Sequence, residues 1–299
     1  MRICAALALL VWLFPLSAIA ATPVSSYDVG SVHVDQYGNG KPALVLIPGL
    51  TDSAAVWQTA IARYASDHTI YALTLPGFGG RKPIAAPMLD TVDRDVAALL
   101  AKAGKPVVIG HSLGGFLAIR LAEEHSDLLA GVIAIDGLPV FPGMDKLPPS
   151  TRAAIAATAG GRIADTTPAQ FAQGERAQLA YMTKPENVAI AESFSQGADI
   201  AATGTYMTEM MSADLRPALA RIEVPLLEIG PFDASVDPKN PYVPMATLAQ
   251  KQAYYQSLLA GDPTARVVMI DDSRHFVMLD RPESLFSVID AFLAALPPS

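Results

Sequence analysis

Short, solid apolar runs punctuate the chain at Ala43 to Ile47, His68 to Leu75, Pro106 to Ile109, Gly131 to Ile135, Val224 to Ile229 and Arg266 to Ile270. Runs this short and continuous predict strands buried on both faces of a parallel sheet. Helical periodicity fills the gaps between them. Val92, Val96, Leu99 and Leu100 share one face of a helix from Asp90 to Lys102, and Asp52 or Ser53 caps a helix that ends near Ala65. Further helices are predicted over 116–124, 245–259 and 282–296. Tyr27 to Tyr37 alternates apolar with polar residues and stops at Gly38-Asn39-Gly40, which predicts an antiparallel edge hairpin. Strands alternating with helices give an α/β class: a mostly parallel sheet with helices on both faces.

The strand pattern stops after Gly137 and resumes only at Val224. Residues 138–222 carry proline punctuation and helical fragments rich in Ala, Met and aromatics, among them Phe171, Tyr181, Met207, Met210 and Met211. This stretch is read as a helical lid inserted between the sixth and seventh strands, leaving 21–137 and 223–299 as the core. Met207, Met210 and Met211 are expected to line an apolar substrate pocket beneath it.

The chain has 299 residues, 51% of them hydrophobic and 17% charged, enough apolar material for a large core. Its net charge of −8 and the lack of Lys/Arg clusters exclude nucleic acid as a partner. Met1-Arg2, an apolar stretch to Ala20, and Ala18-Ile19-Ala20 at its end have the three parts of a secretory signal, so residues 1–20 are expected to be removed and the protein secreted or periplasmic. Pro15 and Ser17 leave that run short of a membrane span, so none is expected in the mature chain. Cys4, the only cysteine, would go with the signal, which excludes disulfides and thiol chemistry from the mature protein.

One stretch combines strand, turn and helix without a gap: Val107-Val108-Ile109, then Gly110-His111-Ser112-Leu113-Gly114, then a helix from Phe116. A serine at the apex of such a turn is forced outward, and only small residues fit two positions before and after it. Gly110 and Gly114 occupy those positions, so Ser112 is the candidate nucleophile.

Gly-His-Ser-Leu-Gly-Gly resembles the nucleophile elbow of the α/β-hydrolase superfamily, and the strand and helix order extends the resemblance over nearly the whole mature chain. It implies an acid and a histidine further along, in the order Ser, Asp or Glu, His. It also implies two backbone N–H donors for an oxyanion, from Leu113 after the nucleophile and from Leu50, which follows Gly49 in the loop after the first parallel strand. Pro48 stands where that family frequently has His, which stiffens the loop without removing the donor.

Of five histidines, His275 alone lies in a loop directly after a buried strand, where active sites of open α/β sheets gather. It is assigned as base, then acid. The orienting acid has three candidates. Asp136 ends the sixth strand, as in some lipases; Asp233 stands three residues after Gly230, the spacing usual in the family; Asp237 competes in the same loop. Asp136 is preferred, with Asp233 the alternative. No His-x-His or His-x-x-x-His pair points to a metal, and the chemistry needs no cofactor. The expected activity is cleavage of a carboxylic ester with an apolar part through an acyl-serine. Thioesterase, lactonase, peptidase and cofactor-free haloperoxidase activities use the same machinery, and a catalytically silent binding protein could share the fold.

Overall fold

The computed structural model describes residues 22–297. The expected signal segment lies outside the described residues. Edge strands β1 (Ser25–Val29) and β2 (Val32–Tyr37) form the hairpin, and β3 (Leu44–Ile47) opens the parallel part. Ser53 accepts from the Ala55 N–H and so caps a 3-10 turn, which leads into α1 (Gln58–Tyr64). After these come β4 (Ile70–Thr74), α2 (Met88–Ala103), β5 (Val107–His111), α3 (Leu113–His125) and β6 (Gly131–Ile135). The strand order is β1-β2-β4-β3-β5-β6 and then β7 (Leu226–Phe232) and β8 (Arg266–Asp271), with the β1–β2 and β2–β4 pairs antiparallel and the rest parallel. β7 begins two residues and ends three residues later than its apolar run suggested, which puts Asp233 directly at its carboxyl end.

The continuous apolar strands are explained by what covers them. α2 and α3 pack one face of the sheet through Val92, Val96, Phe116 and Leu117, while α1, α9 (Val277–Asp280) and α10 (Pro282–Ala295) pack the other through Ile61, Val277, Leu285 and Ile289. From β3 the chain crosses to β4 on one side and then to β5 on the other. The carboxyl ends of β3 and β5 therefore diverge into a crevice, the place where open α/β sheets bind ligands.

Between β6 and β7 run α4 (Pro149–Ala164), α5 (Pro168–Met182), α6 (Val188–Phe194) and α7 (Ile200–Ser212). A single antiparallel bridge between Val140 and Asp214 closes the neck of this helical insertion. α7 docks on the body by hydrogen bonds: Glu209 accepts the Met88 and Leu89 N–H groups at the start of α2, at 2.9 and 2.7 Å, and the Tyr206 hydroxyl donates to Pro76 O. A carboxylate there satisfies two of the free N–H groups of a helix start and meets its positive end. The final helix of the core before β8 is α8 (Leu248–Leu259), capped by Thr247. Among the described residues no helix is long and apolar enough to cross a membrane.

Candidate active site

Ser112 joins β5 to α3 at φ 55° and ψ −118°, a region that costs a non-glycine residue roughly 1–3 kcal/mol. The surroundings fix it there: its N–H donates to Ile135 O and its carbonyl accepts from the Phe116 N–H, both at 2.9 Å. A Cβ on Gly110 would lie 2.0 Å from Gly114 O, and one on Gly114 would lie 2.2 Å from Ile47 O, so side chains at either position would break the turn. Leu113 is the first residue of α3 and fully buried, and its N–H belongs to the helix start, where no intrahelical acceptor exists. Leu50 lies on the wall of the same crevice.

His275 follows β8 and faces Asp136 at the end of β6. Its Nδ1–H donates to Asp136 Oδ2 at 2.6 Å, which leaves Nε2 as the free nitrogen. The other oxygen of Asp136 accepts from the hydroxyl of Tyr255 on α8. Burial works to push the Asp136 carboxyl up, but the hydrogen bond and charge of His275, the nearby Lys251 ammonium and the Tyr255 hydroxyl together hold it well below the usual carboxylate range. Asp136 has φ 50°, a left-handed conformation that Asp tolerates better than most residues, and its N–H donates to Ile229 O. Behind it, Glu228 of β7 is completely buried. Desolvation first, then the charge of Asp136, pushes its carboxyl well up, and it accepts weakly from the Gly137 N–H at 3.3 Å.

The other two acids are engaged elsewhere. Asp233 Oδ2 accepts from Arg274 Nε at 2.8 Å, and Asp237 Oδ1 accepts from Lys251 Nζ at 2.7 Å. Arg274 also donates to Ala180 O and Thr183 O in the insertion, while Asp280 accepts from Thr183, Lys184, Asn187 and the Arg274 N–H. The histidine loop is thus stitched to the end of α5. His111, inside the elbow, is buried and donates from Nε2 to His275 O at 3.1 Å, its ring 4.5 Å from the His275 ring. Sequence reasoning did not find Tyr255, Arg274 or the His111 contact; each depends on partners 41 to 164 positions away.

Ser112, Asp136, His275 and Leu50 line one cavity of about 780 Å³ beneath the helical insertion. Met207, Met210 and Met211 all line it too, with Phe116, Leu138 and Val140. Among the described residues, the one cluster with metal-like spacing is Asp93, Glu124 and His125, which lines no part of this cavity. Arg120 Nε, 3.8 Å from Asp93 and 3.5 Å from Glu124, already supplies a cation there.

Residues 44–288 match the model of the alpha/beta hydrolase family. A pimeloyl-[acyl-carrier protein] methyl ester esterase of Aeromonas hydrophila is 26% identical over 279 residues, covering 88% of this chain and 99% of that protein. The lipase LipV of Mycobacterium tuberculosis is 39% identical over 111 residues, 35% of this chain and 41% of that protein. Among solved structures, a thermophilic esterase from Thermogutta terrifontis superposes with a TM-score of 0.70 at 19% identity, covering 90% of this chain and 98% of that one, and the enol-lactonase of Burkholderia xenovorans with 0.67 at 20%, covering 90% and 100%. With the match spanning most of the chain and the fold shared over 90% of it, this protein belongs to the alpha/beta hydrolase family.

Proposed function

We propose that the protein is an exported carboxylesterase acting through an acyl-serine. The observation that carries this reading is the 2.6 Å Asp136–His275 hydrogen bond at a cavity that Ser112 also lines. With Nδ1 engaged, His275 Nε2 takes the Ser112 proton as Oγ attacks the ester carbonyl carbon. The Leu50 and Leu113 N–H groups stabilise the resulting oxyanion. The intermediate collapses, the C–O bond to the alcohol breaks, and the alcohol leaves with the proton from His275. Water, deprotonated by the same nitrogen, then cleaves the acyl-serine and restores the hydroxyl. Asp136 stays ionised throughout, holding the tautomer and offsetting the imidazolium charge. The esterase activity named for the full-length relative supports the ester bond as the target.

The test is a fluorophosphonate probe followed by peptide mass spectrometry, with hydrolysis profiled across acyl esters of rising chain length, thioesters and lactones. Labelling of Ser112 with preferential ester turnover is expected; folded protein without an adduct on Ser112 would reject the reading. Export rests on residues 1–20 alone. N-terminal sequencing of protein from the source organism should give Ala21 as the first residue, and an intact Met1 would reject removal of the segment.

A further inference from the structure

The wall of the cavity changes character from one side to the other. Phe116, Leu138, Val140 and the three methionines make one side apolar; Thr51, Asp52, Glu175 and Ser195 make the other polar and acidic. The acidic side is built against the proposed oxyanion loop. Thr51 follows Leu50 with φ 70°, and its hydroxyl lies 2.5 Å from Leu50 O and 3.2 Å from Glu175 Oε2, to which it can donate. Asp52 is buried just behind: the point where Gly49 would carry a Cβ is 3.0 Å from Asp52 Oδ2 and 3.3 Å from Ser112 Cβ.

Among the described residues, neither carboxyl is paired with a Lys or Arg. Of the three Lys and Arg residues lining the cavity, Lys251 is held by Asp237 and Arg274 by Asp233, while Lys239 is exposed on the outer loop. Arg176, next to Glu175 in sequence, is paired with Glu192. The nitrogen opposite Asp52, His111 Nδ1, is 3.8 Å away, beyond hydrogen-bond length, and has no hydrogen-bond partner among the described residues. Burial pushes both carboxyls up, Asp52 against the opposing effect of His111 and Glu175 against that of Thr51. A positive charge placed beside them would favour their ionised forms and be bound in return. An anionic group would meet repulsion.

We propose that the substrate is an ester with one apolar part and one part bearing a protonated amine, and that Glu175, backed by Asp52, selects it by ion pairing on the acidic side of the cavity. This rests on the ester-hydrolase reading and adds the charge of the substrate to it.

The probes are 2-(dimethylamino)ethyl butyrate and 3-methylbutyl butyrate, which have nearly the same shape and differ by a protonated nitrogen in place of a carbon. At pH 7.5 the wild-type protein should favour the amine ester by tenfold or more in kcat/KM. Glu175→Gln should bring that ratio below threefold, and Glu175→Asp, which keeps the charge, should retain most of it. Fluorophosphonate labelling of Ser112 in each variant reports that the site is folded. A wild-type ratio near or below one, with the neutral ester turned over, would overturn the proposal and leave the ester reading standing, as would a ratio unmoved by Glu175→Gln. Failure to turn over either ester, with Ser112 unlabelled, would overturn both.

Discussion

Asp233 and Arg274 form an ion pair with 2.8 Å between Oδ2 and Nε, so the acid at the end of β7 grips the residue before His275 and not the imidazole. The imidazole is bonded to Asp136, 139 positions away. Changing Asp136 to Asn should therefore lower kcat by about 10³- to 10⁴-fold with the fold intact, the loss that follows when the orienting acid of such a triad is removed. Asp233→Asn should lower kcat by less than about tenfold while costing about 1–3 kcal/mol of stability, because Arg274 keeps its bonds to Ala180 and Thr183. Turnover measured at equal folded fraction, with urea denaturation of each variant, separates the two. Near wild-type turnover in Asp136→Asn would overturn the assignment.

The same pair sets an acid limit on stability. Burial opposes ionisation of Asp233, but hydrogen bonds from Ser235 and Arg274 lower its carboxyl to about 2, below the ordinary 3.8. A depressed carboxyl binds fewer protons folded than unfolded, so its contribution, roughly 2 kcal/mol, is present above pH 4 and lost as pH falls from about 4 through 2. Denaturation at pH 6 and pH 2.5 should show wild type losing its advantage over Asp233→Asn at the lower pH. A gap that stays constant would show that the carboxylate carries no such linkage.

Local features of this site were readable from the sequence. The elbow is contiguous, with Gly110, Ser112 and Gly114 in one turn, and His275 is marked by its place after an apolar strand. The acid was harder because three aspartates satisfy the same local description. What distinguishes them in space is the partner of each: Arg274 for Asp233, Lys251 for Asp237, and His275 with Tyr255 for Asp136. No periodicity encodes such pairings, since they arise where strands adjacent in the sheet are far apart in the chain. The composition of 138–222 pointed to helical fragments without placing them, and not to Glu209 capping α2 or Arg274 tying α5 to the histidine loop.

Met207 and Met211 differ in burial. Met211 is 4% exposed and packs with Leu138, Val140 and Tyr255, while Met207 is half-buried on the cavity wall. Met211→Ala should cost about 2–4 kcal/mol, within the range for emptying a buried site. Met207→Ala should cost less than about 1.5 kcal/mol and shift acyl-chain preference toward longer chains. Thermal melts beside hydrolysis of C4, C8 and C12 esters would check this. Equal stability losses and an unchanged chain-length profile would make both simple packing residues.

Tyr255→Phe removes one of the two hydrogen bonds to the Asp136 carboxylate and changes little in volume. With a donor lost, the proton affinity of the Asp136 carboxylate rises, and the carboxylate gains freedom to rotate. The variant should lose about 3- to 30-fold in kcat with KM little changed, and the acid limb of its kcat/KM profile should move to higher pH. A uniform drop in activity at every pH, with a lowered Tm, would instead mean that the hydroxyl only supports packing.

Glu123 makes the final prediction, because it is buried without adequate compensation on α3 and lines no part of the cavity. It is 8% exposed, its Oε1 has no hydrogen-bond partner among the described residues, and desolvation first, then the charge of Glu124, raises its carboxyl to about 8; Arg221 and Arg120 offset this only in part. A carboxyl raised on folding binds more protons in the native state than in the unfolded one between about pH 4.5 and 8. Native stability therefore falls as pH rises through that window, the reverse of the Asp233 case. Glu123→Gln keeps the shape and removes the titration, so it should match wild type near pH 5 and exceed it at pH 8, by on the order of 1–3 kcal/mol once solvent reaching the site is allowed for. Urea denaturation of both proteins at pH 5, 6.5 and 8 would test this, and a difference that does not grow with pH would show that Glu123 is ionised in the folded protein at little cost.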